Sequence, residues 1–138
     1  MIAAMEIADF DDLLAAARAQ AEPQRLLLVF ADASLPADAS AEQRAAFDAG
    51  EAGELGPVMC VDKSPAELAD FQALLAEAAT TAQPWTLVFA AALGGSAGQA
   101  PTAAVVDTAL QAMVEAVRAG DIGRYIAFDR AGHAVQMG

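Results

Sequence analysis

Residues 26 to 30 read Leu26-Leu27-Leu28-Val29-Phe30, five apolar side chains in succession with Arg25 before them and Ala31 after. A strand with one wet face alternates apolar and polar residues. A run without alternation therefore predicts a strand covered on both faces, the condition of parallel strands under helices. Val58-Met59-Cys60-Val61 and the stretch from Trp85 to Leu93 share this character. Reading outward from these three runs sets the rest of the fold.

The intervals between the runs carry helical signals. Before the first, Asp9 is a candidate N-cap, and Phe10, Leu13, Leu14 and Ala17 share one helical face until Pro23 stops the segment. After it, Ser40 and Gln43 have capping-box spacing and Gly50 suits a helix end, predicting a helix over 41–49, with Gly53, Gly56 and Pro57 as the following loop. Ser64-Pro65-Ala66-Glu67 combines a cap, a proline at the first helical position and a glutamate that reaches back. Leu68, Phe71, Leu75 and Ala78 then form the expected buried stripe. Gly94 to Pro101 reads as a loop, followed by a long helix over 102–119. There Val106, Leu110, Met113 and Val117 line one face, Asp107, Gln111, Glu115 and Arg118 another, and Gly120 ends it. Tyr125-Ile126-Ala127-Phe128, the turn Asp129-Arg130-Ala131-Gly132 and Ala134 to Met137 predict an antiparallel hairpin at a sheet edge. The expected fold is a single α/β domain over residues 1–138. Its mixed sheet has about five strands, three buried and parallel plus the C-terminal antiparallel hairpin, packed with about four helices. Strand order stays open.

Composition narrows the function. The chain has 138 residues, 57% of them hydrophobic, and 19 Asp plus Glu against seven Lys plus Arg, for a formal charge of -12. Of the hydrophobic residues 38 are alanine, which favours helices and adds little buried area. With one lysine, Lys63, the chain lacks the clustered cations that nucleic acids or anionic lipids require. No charged residue lies between Glu77 and Asp107, but Gln83, Pro84, Gly94, Gly95, Ser96, Gly98, Gln99 and Pro101 interrupt that gap, so no membrane span is expected. The start carries Glu6 and Asp9 and no signal-peptide pattern, which predicts a cytoplasmic protein. Cys60 and His133 are each the single residue of their type, which excludes a multi-cysteine metal site and an internal disulfide. No cofactor is implied.

In open parallel sheets ligands sit beyond the carboxyl ends of the strands. That rule gathers Asp32 and Ser34 after the first strand, Asp62, Lys63 and Ser64 after the second, and Gly94, Gly95, Ser96 and Gly98 after the third. An amine, two carboxylates, hydroxyls and backbone donors suit a small anion. The plainer reading gives Asp62 and Ser64 to helix capping, Lys63 to solvent and Cys60 to the core as a small hydrophobe. The glycine loop has neither phosphate-binding pattern, G-x-x-x-x-G-K-[ST] or G-x-G-x-x-G. The carboxylates Asp9, Asp11 and Asp12, and Asp38, Asp48, Glu51 and Glu54, read as solvated faces.

Several strings taken together resemble a family of short bacterial proteins that carry the label ribonucleotide reductase alpha subunit. They are Phe10-Asp11-Asp12-Leu13-Leu14, Glu22 through Phe30, Met59-Cys60-Val61-Asp62-Lys63-Ser64-Pro65, Ile122-Gly123 and Phe128-Asp129. Reductase chemistry needs a thiyl-forming cysteine and a separate redox-active pair, and Cys60 alone does not supply them. The resemblance therefore transfers no catalytic residue. Two expectations follow. The first is a non-catalytic module acting through self-association or a protein partner, with the uncharged stretch 85–106 as its contact surface. The second is a small anionic-ligand-binding protein or enzyme that uses Asp32, Asp62, Lys63, Ser64 and the 94–98 loop.

Overall fold

The computed structural model describes residues 7–34, 40–48 and 54–135. The elements run α1 (Phe10–Arg18), β1 (Gln24–Ser34), α2 (Ala41–Asp48), β2 (Glu54–Lys63), a 3-10 turn (Pro65–Glu67), α3 (Phe71–Ala79), β3 (Leu87–Gly94), α4 (Ala103–Ala119), β4 (Ile126–Phe128) and β5 (Ala134–Val135). The strands form one sheet in the order β2-β1-β3-β4-β5, and every hydrogen-bonded pair is antiparallel.

This corrects the expected parallel sheet. Leu26 to Phe30 is indeed covered on both faces, but an antiparallel strand between two helical layers carries the same unbroken apolar pattern. Leu26, Leu28 and Phe30 face α1 and α3, together with Leu13, Leu14, Leu74 and Phe128. Leu27, Val29 and Ala31 face the other way, toward Val106, Met113 and Val117 of α4. The sheet is thus the middle of three layers. β2 and β3 do run in the same direction, since each is antiparallel to β1, but β1 lies between them.

The helix expected from Ser64 onward is broken in two. Glu67 does reach back, its Oε1 accepting from the Ser64 N–H at 2.8 Å, but only a 3-10 turn follows. Leu68 is extended and fully buried, and α3 starts afresh with Asp70 as N-cap. The cause lies 50 residues away. The Arg18 guanidinium at the end of α1 donates to the carbonyls of Pro65, Leu68 and Ala69, acceptors that a continuous helix would use internally. Asp11 of α1 accepts from the Phe71 N–H at 2.8 Å, and the Phe10 ring packs on Phe71 and Phe128 at 5.4 and 5.3 Å.

The acidic start is structural as well as solvated: Asp11 and Asp12 are exposed, yet each carboxylate holds a backbone N–H. Asp9 caps α1 by accepting from Asp12 N–H, and Asp12 accepts from Ala8 N–H. Gly56 and Pro57, expected in a loop, belong to β2. There the register skips Val58 opposite the Phe30/Ala31 step, a bulge that admits a proline lacking an N–H. The C-terminal hairpin forms as the alternation predicts, with Gly132 at φ +86° in its turn.

Candidate functional site

The antiparallel topology splits the residues gathered by the parallel-sheet rule. Lys63 stands opposite Leu26 at one end of β1, and Asp32 stands opposite Gly56 at the other. Six residue steps separate Leu26 from Asp32, about 20 Å at the usual rise. Ser34 lies at the Asp32 end as well. Gly94 shares the Lys63 end, paired with Gln24, but β1 intervenes, so β2 and β3 are two strand spacings apart, about 9.5 Å.

Asp62 and Lys63, adjacent in the chain, point to opposite faces of the sheet. Asp62 accepts from Arg25 Nε at 2.7 Å, and Arg25 also donates to Glu67 at 2.9 Å. Hydrogen bonding to Asp62 raises the Arg25 pKa. The bond from the Ser64 backbone N–H, seconded by the Ser64 side chain and by Arg25, lowers that of Glu67. Lys63 reaches the α3 side, where its Nζ meets Glu77 Oε1 at 2.6 Å, and that bond raises its pKa. The 94–98 loop closes on itself. Ser96 and Gln99 exchange both backbone hydrogen bonds, and Ala97 and Gly98 take the two positive φ values of a type I′ turn. Gly95 is needed for close approach, because a Cβ there would stand 1.8 Å from the Gln99 carbonyl oxygen. Gly98 N–H donates to Glu22 and Gly95 N–H to the Pro23 carbonyl. The amides of Gly95, Ser96 and Gly98 are thus spent inside the protein, not offered to an anion. Ser64 borders a separate depression of about 390 Å³ with Arg18 and Gln24.

What the structure does assemble lies along β2. Among the described residues this strand has one strand neighbour, β1, and its other edge is unpaired. Two grooves flank it. On the α3 side a cavity of about 260 Å³ is lined by Phe30, Met59, Val61, Leu74, Ala78 and Thr81, with the Lys63–Glu77 ion pair at its rim. On the α4 side a wider groove of about 550 Å³ is lined by Cys60, Asp107, Leu110, Gln111, Val114 and Glu115. Cys60 is exposed, which corrects its expected place in the core. Its cross-strand partner Val29 is fully buried.

The groove residues were missed by rules tied to strand ends. One local signal was available, the proline two residues before Met59, since proline inside a sheet marks an edge strand or a bulge. The stretch 85–106 does not offer a continuous contact surface. Trp85 and Val88 to Ala90 are buried, and β3 sits in the middle of the sheet. Arg130 covers Trp85, its guanidinium 4.5 Å from the indole centroid. His133 follows the turn, is exposed and forms an isolated antiparallel bridge with Asp9. Among the described residues no group of three or more His, Cys, Asp and Glu side chains is placed to hold a metal ion, and no helix is long and apolar enough to cross a membrane. Comparison with protein-family models, curated proteins and solved structures returned no match to the chain.

Proposed function

We propose that this chain is a non-catalytic, cytoplasmic binding module that engages another protein chain through the free edge of β2. The observation that carries the reading is the edge itself. β2 is ten residues long and apolar through Val58-Met59-Cys60-Val61, yet none of its residues with described side chains is buried. Unpaired backbone N–H and C=O groups of such an edge form a template for a further strand. The flanking grooves give side chains of that strand somewhere to go. The other edge, β5, comprises Ala134–Val135, and among the described residues it offers no comparable template.

The strings that carry the family resemblance fit this reading, because their polar residues are taken up by the fold. Asp11 and Asp12 bond to backbone N–H groups, Arg25 pairs with Asp62, Lys63 with Glu77, and Asp129 accepts from Ala131 and His133 N–H. The anionic-ligand reading loses the convergence on which it rested.

Cys60, the single and exposed thiol, allows a direct test. A maleimide-benzophenone attached there and irradiated in cell extract is expected to give one dominant cross-linked product, either a partner protein or a second copy. The control carries the same probe at Ala104→Cys in a Cys60→Ala background. Adducts indistinguishable between the two positions would refute an edge-specific contact.

A further inference from the structure

From the charge and shape of the two grooves, and resting on the edge-strand reading above, we infer that the occupant of the β2 edge is an extended basic segment of a partner protein. Its apolar and cationic side chains alternate. A strand added to β2 sends successive side chains to opposite faces of the sheet. On the α3 face they meet Met59, Val61 and Leu74 around the 260 Å³ cavity, which lies below the roughly 300–1,000 Å³ of small-molecule pockets and suits single apolar anchors. On the α4 face they meet Asp107, Gln111 and Glu115, spaced four apart and so on one side of the helix. Glu115 is shared with Arg118 at 2.6 Å, whereas Asp107 has no ion pair among the described residues. Long cationic side chains, with an apolar stem for Leu110 and Val114 and a charged head for Asp107 and Glu115, complement this face, and apolar ones the other. The formal charge of -12 draws a basic chain in and opposes the approach of a second copy. Pro57 and the bulge at Val58 interrupt the ladder, leaving Val58 to Lys63 as the pairing segment.

The test uses the full chain with fluorescein-labelled nonapeptides read by anisotropy, and amide chemical shifts to locate the contact. One peptide alternates Lys with Val and Leu, a second replaces each Lys by Glu, a third has the first composition in blocks, and a fourth is the first with alternate amides N-methylated. The alternating Lys peptide is expected to bind, to shift amides between residues 58 and 63, and to exceed the Glu peptide by at least about tenfold. It is also expected to exceed the blocked and N-methylated peptides. Asp107→Asn should weaken it about threefold, the scale of one exposed ion pair. Equal binding of the Lys and Glu peptides with shifts confined to β2 would overturn the basic partner while keeping the edge as a docking site. No β2 shifts with any peptide would overturn both. A concentration-dependent dimer whose β2 amides become protected would identify the occupant as a second copy and overturn this inference alone.

Discussion

β1 and β2 are hydrogen-bonded neighbours with apolar middles of similar length, Leu26 to Phe30 and Val58 to Val61, yet they live in different solvents. All five residues of the first run are buried and none of the four in the second is. β1 has a strand on each side and closely packed helices above and below, whereas β2 has, among the described residues, one strand neighbour and a groove toward each helical layer. Apolar sequence in β1 supplies the core of the fold. In β2 Val58, Met59 and Val61 pack against that core only in part and Cys60 is exposed, the contrast on which the proposed docking at this edge rests. The cross-strand pairs Val29–Cys60 and Leu28–Val61 turn this contrast into paired measurements.

The largest expected difference is for a buried charge. Val29→Asp should cost on the order of 4 kcal/mol and unfold much of the protein, because the carboxylate gains no partner in the core. Cys60→Asp, across the ladder, should stay within about 1 kcal/mol. Urea denaturation of both variants checks this, and comparable losses would mean that β2 is covered in solution. Next in size is a truncation. Leu28→Ala should cost about 2–5 kcal/mol and Val61→Ala under about 1.5 kcal/mol, since a half-buried site leaves little cavity. Lys63→Met, which removes the ion pair with Glu77 while keeping the apolar stem over the groove, should shift stability by no more than about 1 kcal/mol. Cys60→Ala should be close to neutral. Native Cys60 should react with a water-soluble thiol reagent at nearly the rate seen in urea, and strong protection would indicate that something occupies the edge.

A pH series sharpens the comparison at the point where β2 leaves the sheet. Glu67 ionises more readily folded than unfolded, so its contribution is present above the unfolded value and is lost as pH falls through the lower, folded one. Arg25 and Lys63 are raised, so theirs is present at neutral pH and lost only in strong alkali. Glu67→Gln should therefore flatten the acid limb of the stability curve. Between about pH 6 and 9 it should leave a constant offset from the wild type, because Glu67 is held below the ordinary carboxylate range and stays charged there.

The legibility of the fold follows the range of the interactions. Asp9, the stripe Phe10-Leu13-Leu14-Ala17 and the left-handed Gly120 were readable because caps and helical faces are settled within a few residues. The break at Leu68 was not, because Arg18 imposes it from another helix. Asp62 and Lys63, expected beside a ligand, pair instead with Arg25 and Glu77 on opposite faces of the sheet. Which other residues lie near them was not legible, because strand direction decides it and places Asp32 at the far end of β1. Asp107, Gln111 and Glu115 were seen as one polar face, but what that face overlooks was invisible until β2 was placed beside it.

By itself the sequence determined most of where the chain is extended and where it is helical, which face of each helix is apolar, and a charge of -12. These are local periodicities and sums. Only the tertiary structure decided that the strands pair antiparallel, that Asp32 lies far from Lys63, and that β2 is the open edge. The physical reason is that hydrophobic patterning records how much of a strand is covered. It carries no information on the direction of the neighbouring strand, or on whether the cover comes from the same chain or from a partner.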